Sequence, residues 1–388
     1  MPVFPDVGGR SSAPFAGSGG PIPYPWGMIS TPRLIALAFL GVISSLNAAG
    51  EDLRPDTSID ITLDWSQQPN GWRYPMAIHV PNGEPPASGL PVCILLHGNG
   101  GNGAGMLSGF IGLLPCHALV APSGYASSWN ICGEGSDAPD LEMIADLVDR
   151  LQTFDNVDPN RIRILGTSNG SALANRILLE NDDPGIDRIA AVVSQLVTAQ
   201  RHDDAFFRPG GTTQPSAAFC GYDVEVEPMQ GRRYLGICNV NDPVIRYDGG
   251  RGPGGLFFLE ARDSAFQIAR SQGYEGQPIA GSGERIGRSN VFVYDYLDGR
   301  VVHLRGDAGH GMNDVQREYV REFFDGCAVP PPCPADFNGD GRVNGADLGL
   351  LAAAWQTAAG DLDGDGTTGG SDVGLLLAAW GECPGDQP

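Results

Sequence analysis

The sequence predicts an α/β fold built on a mostly parallel sheet, followed by a small second module at the C-terminus. Three observations carry this expectation. From residue 58 to 325 apolar strand-like runs alternate with segments of helical period, the order of βαβ units. Val329-Pro330-Pro331-Pro332 then interrupts the chain with a stiff stretch poor in amide donors. Beyond it, an acidic segment is duplicated.

Length and composition agree with that division. The chain has 388 residues, enough for one large domain and a small one, and 41% are apolar with no fibrous period. A net charge of -22 argues against nucleic acid as a partner, because a phosphate backbone is gripped by clustered cations. All 24 basic side chains are Arg. With no Lys, Schiff-base chemistry, a Walker-type phosphate loop and a Ser-Lys dyad are excluded.

Residues 1–27 are rich in Gly, Pro and Ser and read as an untranslated or disordered leader. Residues 28–50 read as a secretory signal peptide: Leu34 to Leu46 is apolar, follows Arg33 and leads into Asn47-Ala48-Ala49-Gly50. That run is shorter than the roughly 20 residues of a membrane span, so a secreted protein without a membrane association after cleavage is expected. The alternative is a disordered tail followed by an anchor.

The large domain is expected over 51–328. Its strand candidates are 59–65, 74–80, 92–97, 118–122, 161–166, 189–193, 234–240, 291–296 and 301–304, with helices over 141–151, 171–179, 259–272 and 315–324. The stretch 198–231 lacks a clear period and reads as a lid or an ordinary insertion. Cys93 and Cys238 fall in apolar runs and read as buried thiols, and one disulfide, Cys333 to Cys383, is expected.

Gly166-Thr167-Ser168-Asn169-Gly170 stands between a strand and a helix, the setting of a nucleophile elbow. The turn exposes the Ser168 hydroxyl, and the amide of Asn169 points to where an oxyanion forms. An acid and then a His should follow in the chain. Asp242 ends the strand at 234–240, with Asp248 as the competing acid, and His310 lies in the loop Asp307 to Gly311. His310 would take the Ser168 proton and return it to the leaving group. A second oxyanion amide is expected near Asn99, in His97-Gly98-Asn99-Gly100-Gly101-Asn102-Gly103. This loop also matches a dinucleotide fingerprint, but the next strand ends Val120-Ala121-Pro122-Ser123-Gly124 without the acid that would hold a ribose. No cofactor is expected for catalysis.

These blocks, with Ser128-Trp129-Asn130 and Val157-Asp158-Pro159-Asn160-Arg161, resemble the secreted α/β-hydrolase esterases that include feruloyl esterases and polyhydroxybutyrate depolymerases, carbohydrate esterase family one. The resemblance implies an α/β-hydrolase fold, a Ser168, His310, Asp242 triad working through an acyl-enzyme, and Trp129 at the pocket edge. It implies esters linked to polysaccharide, feruloyl or acetyl, with polyesters as the near alternative. The chain departs from the family pattern at Asn99, where Cys is common, at Arg246, where Pro is common, and at Gly311-Met312-Asn313, where Trp-Pro is common. A catalytically silent, scaffold-attached binding protein and a serine peptidase are the competing readings.

The linker is expected over 329–335 and the second module over 336–388. Two twelve-residue loops place oxygen donors at the spacing a calcium loop requires: Asp336, Asn338, Asp340, the Arg342 carbonyl and Asp347, then Asp361, Asp363, Asp365, the Thr367 carbonyl and Asp372. Each loop precedes one apolar helical run, at 348–355 and 373–380. One helix per loop and Asp at position 12 resemble a type I dockerin, which implies an all-α, calcium-stabilised module and a cohesin-like partner. Positions 10 and 11, Gly345-Ala346 and Gly370-Ser371, differ from the hydroxyl residues common there.

Overall fold

The structure, a computed structural model, describes residues 50–324, 333–338, 342–363 and 365–383. The leader, the signal segment apart from Gly50, most of the linker and the ligand candidate Asp340 lie outside the described residues.

The main sheet comprises β1 (Met76–His79), β2 (Leu90–Leu96), β3 (Ala118–Pro122), β4 (Val157–Thr167), β5 (Ile186–Val192), β6 (Arg233–Asn239), β7 (Glu284–Arg285), β8 (Phe292–Tyr296) and β9 (Val301–Gly306). Their spatial order is β7-β8-β9-β6-β5-β4-β2-β3-β1. The six strands from β9 to β3 pair in parallel, whereas β1, β8 and β7 add antiparallel edges. The expected first strand, 59–65, shortens to Thr62–Trp65 and pairs with Gln68–Arg73 in a separate hairpin.

β2 and β3 are buried at every position, which is why they read as unbroken apolar runs. Alternation still sorts their side chains: Val92, Ile94 and Leu96 join one core, Cys93 and Leu95 the other. α2 (Asp140–Leu151), α3 (Asn169–Glu180) and α4 (Ala261–Ser271) supply apolar residues to the first core. α1 (Gly103–Phe110) and α5 (Asp314–Phe323) supply the second. α1 escapes a sequence reading because three of its eight residues are Gly, poor helix formers. It is held by Asn102, whose Oδ1 accepts the Gly105 N–H at 2.9 Å, and by burial of Met106 and Phe110.

The stretch 198–231 forms a small antiparallel sheet of Arg201–His202, Ala205–Pro209 and Tyr222–Val226. A disulfide not anticipated from spacing, Cys132 to Cys220, ties it to the loop after β3. Cys116 is disulfide-bonded too, so the expectation of a single bridge is corrected, while Cys93 and Cys238 are free and buried.

The C-terminal segment carries α6 (Gly345–Ala353) and α7 (Gly370–Ala378). Its own core contains Ala335, Val343, Leu351, Leu376 and Cys383, and the Cys333–Cys383 disulfide closes it. It is not purely helical, because Arg342–Val343 pairs with Gly381–Glu382 as a short ladder. Among the described residues no helix is long and apolar enough to cross a membrane.

Candidate active site

β4 runs into α3 through a single residue, Ser168, with φ 54° and ψ -116°. A residue with a Cβ rarely adopts that conformation, and such strain collects at functional turns. Its neighbours must be glycine: a Cβ on Gly166 would lie 2.0 Å from the Gly170 carbonyl oxygen, and one on Gly170 would lie 2.2 Å from that of Leu96.

The Ser168 Oγ lies 2.8 Å from His310 Nε2, and His310 Nδ1 lies 2.7 Å from Asp242 Oδ2. The remaining Asp242 oxygen, Oδ1, accepts the N–H groups of Val244 at 2.7 Å and Ile245 at 3.0 Å. Three donors and a side-chain exposure of 1% hold this carboxylate in one orientation. It fixes the imidazole with Nδ1–H toward Asp242 and Nε2 open to the seryl proton. The competing acid, Asp248, is exposed on the loop beyond.

His310 lies on a loop without regular structure, so something else must fix it. Asn239, buried at the end of β6, does so. Its Nδ2 donates to the carbonyls of Gly309 at 2.9 Å and Gly311 at 2.7 Å, the two residues flanking His310. Its Oδ1 accepts from Gln316 Nε2 at 2.8 Å, and Gln316 closes the capping box of α5 with Asn313. Sequence reasoning passed over Asn239. Its only signal was a polar amide ending an otherwise apolar strand.

The backbone N–H of Asn169 belongs to the first residue of α3 and has no intrahelical partner. Asn99 lines the same cavity as Ser168 and His310. Its loop is fixed by His97, whose Nδ1 bonds the Gly98 carbonyl at 2.8 Å while Nε2 accepts the Gly124 N–H at 3.0 Å. Burial pushes the His97 pKa down, consistent with a neutral ring whose Nε2 accepts. His303, read as a packed side chain, is buried against the Tyr247 hydroxyl at 2.9 Å, and burial lowers its pKa to about 3.

Trp129 requires a correction. It is fully buried and lines neither cavity at Ser168, so it does not form a pocket edge. Its Nε1 donates to the His97 carbonyl at 2.8 Å and its N–H to Asn169 Oδ1 at 2.7 Å, binding the two loops around Ser168 together.

Ser168 and His310 open on a cavity of about 540 Å³ whose walls include Glu134, Ser194, Ile245, Leu256 and Phe258. Both residues also line a second cavity of about 440 Å³, whose walls include Met106, Phe110, Val192, Val193, Met312 and Arg317. Of the two readings of 198–231, a lid or an ordinary insertion, the cavities favour the insertion: none of its residues lines either one, and segment 253–258 walls the first.

In the C-terminal loops, carboxylate oxygens of Asp361, Asp363 and Asp372 lie within 4.8 Å of one another. Asp361 also accepts the N–H groups of Asp365 at 3.1 Å and Gly366 at 2.8 Å, and Asp365 Oδ1 accepts that of Thr367 at 2.8 Å. In the first loop Asp347 accepts from Phe337 at 2.9 Å, Asn338 at 3.1 Å and Asn344 at 2.9 Å, and Arg342 Nη2 bonds Glu382 at 2.6 Å. Asp336 is half-buried near Cys383. An all-oxygen donor set gathered this closely fits a hard divalent cation.

No family model and no curated protein matches this chain. Among solved structures, it is similar to a carboxylesterase from Bacillus cereus at 14% identity and a TM-score of 0.41, covering 65% of this chain and 93% of that one. A phospholipase/carboxylesterase from Dyadobacter fermentans is similar at 12% identity and a TM-score of 0.36, covering 65% and 96%. Likenesses this distant assign no chemistry, which is read here from the residues of this chain alone.

Proposed function

We propose that this chain is an exported serine carboxylic ester hydrolase. Ser168 is the nucleophile, His310 the general base and then acid, and Asp242 the group that orients His310. The amides of Asn169 and Asn99 receive the charge on the carbonyl oxygen. The carrying observation is the unbroken relay from Ser168 Oγ through His310 to Asp242 at 2.8 and 2.7 Å. Such a relay moves the seryl proton to Nε2 as Oγ attacks the ester carbon. It then delivers that proton to the departing alcohol, leaving an acyl-enzyme that water clears by the same steps reversed. Buried Asp242 stabilises the imidazolium formed on the way.

Esters linked to polysaccharide, feruloyl or acetyl, are the proposed substrates, with hydroxybutyrate polyester as the second class. Two cavities meeting at Ser168 favour an ester substituted on both sides over a small acetyl ester of a simple alcohol. The Cys132–Cys220 and Cys333–Cys383 disulfides support export to an oxidising compartment. Calcium is the proposed ion of the C-terminal loops. Asp336, Asn338, Asp347, Asp361, Asp363, Asp365 and Asp372 would hold it with the carbonyls of Arg342 and Thr367, and it would neutralise a segment otherwise rich in carboxylates. A cohesin-like protein is the proposed partner of that module.

The test is hydrolysis of methyl ferulate, acetylated xylan and hydroxybutyrate oligomers by the exported form and by Ser168→Ala. Cleavage of at least one, lost in the variant, is expected. A wild type that cleaves none, or a variant as active as wild type, refutes the proposal.

A further inference from the structure

The cavity in front of Ser168 holds two polar groups that the proposed chemistry does not use. Glu134 lies in its wall, on the loop pinned by the Cys132–Cys220 disulfide. Its Oε2 accepts the N–H groups of Ile131 at 3.1 Å and Cys132 at 2.5 Å. Among the described residues no donor reaches Oε1, and no Arg pairs with the carboxylate. Ser194 also lines this cavity, 1% exposed, and its Oγ has no hydrogen-bond partner among the described residues. A buried hydroxyl without a partner is costly, and a binding site is where such a cost is met by a ligand. Ile245, Leu256 and Phe258 add apolar side chains to the same wall.

An acceptor that carries charge and a hydroxyl able to donate or accept make a specific demand. From this we infer that the cavity is a subsite for a neutral, hydroxyl-bearing part of the ester, and that it rejects anionic ones. A substrate hydroxyl donates to Glu134 Oε1, or accepts from and donates to Ser194 Oγ, at no charge penalty. A carboxylate brought to the same place meets Glu134 across a partly dehydrated cavity, within a chain of net charge -22. The second cavity at Ser168, whose walls include Met106, Phe110, Met312 and Arg317, takes the other half of the ester. This inference rests on the esterase reading. The hydroxyl can belong to a hydroxyacyl group or to a polyol alcohol.

Four esters separate these cases: methyl butyrate, methyl 3-hydroxybutyrate, glyceryl monobutyrate and monomethyl succinate. The full exported chain, Glu134→Gln and Ser194→Ala are compared through ratios of kcat/KM to methyl butyrate, so a partly misfolded preparation cancels. Wild type should favour one hydroxylated ester, the 3-hydroxybutyrate if the group is acyl and the monobutyrate if it is alcohol, and should disfavour the succinate. In Glu134→Gln one oxygen still serves the two amides and an N–H₂ replaces Oε1. The succinate ratio should therefore rise about tenfold. In Ser194→Ala the hydroxyl preference should fall severalfold with the succinate ratio held. Flat wild-type ratios, or ratios that do not move in the variants, overturn this inference alone. A wild type inactive on all four but active on methyl ferulate, acetylated xylan or hydroxybutyrate oligomers also overturns this inference alone, and one inactive on every ester of both panels overturns the esterase reading with it.

Discussion

Asn239 is where position and chemistry can be separated most cleanly, because it touches neither Ser168 nor the cavity yet spans the loop of His310. Asn239→Asp keeps the shape and the acceptor for Gln316 Nε2 but removes both donors to Gly309 and Gly311. Two lost hydrogen bonds cost roughly 1–3 kcal/mol, and two carbonyls left facing a buried oxygen add roughly 1–3 kcal/mol each before the loop relaxes. The loop escapes that cost by moving, and it carries His310 Nε2 away from the 2.8 Å contact with Ser168 Oγ. A displacement near 1 Å is worth roughly a hundredfold in rate. Steady-state kinetics on the best ester should show kcat lowered about a hundredfold with KM changed less than about threefold, in a variant that still melts cooperatively. A merely structural role would lower the melting temperature and leave kcat of the folded fraction intact. Wild-type kcat in folded Asn239→Asp would refute the positioning role.

Other expectations follow from the same contacts. Trp129→Phe keeps the ring but loses the bond to the His97 carbonyl, so kcat should fall roughly tenfold with little change in KM, read by steady-state kinetics; an unchanged kcat would return Trp129 to plain packing. Removing the Cys132–Cys220 bridge, which spans 88 residues, by a double Ser substitution should lower stability by roughly 2–4 kcal/mol in denaturant unfolding. Burial lowers the His303 pKa to about 3 against an ordinary value of 6.5. The unfolded chain therefore binds this proton first as pH falls, and the stability from the neutral ring is present above about 6.5 and lost toward 3. Between pH 6 and 4, wild type should lose up to about 1.4 kcal/mol per pH unit more than His303→Gln, measured by denaturant unfolding at each pH. Chelation should expose the C-terminal segment to proteolysis, with protection restored by calcium; a segment equally resistant with and without chelator would remove the ion from the account.

The parallel core was legible because β2, β3 and β6 are apolar runs of the length a buried strand needs, and each helix of the large domain with a clear stripe was found within two residues of its bounds. α1 was not, since Gly103, Gly105 and Gly109 hide a helix that tertiary packing of Met106 and Phe110 sustains. In the site, Ser168, Asp242 and His310 could be read in advance because each sits at a fixed place relative to a strand end. Asn239 and Glu134 could not. Their place beside the site comes from what folds over them: a loop 70 residues downstream for Asn239, and a cavity completed by segment 253–258 for Glu134. Trp129 was misplaced for a related reason, since an aromatic in a loop near the nucleophile looks the same in sequence whether it faces substrate or the core.

The most direct test of the central claim is the site and rate of covalent capture by a fluorophosphonate, followed by peptide mass spectrometry. The account predicts one adduct, on Ser168, forming roughly a thousandfold more slowly in His310→Ala. An adduct on another residue, or capture at the wild-type rate without His310, would contradict it.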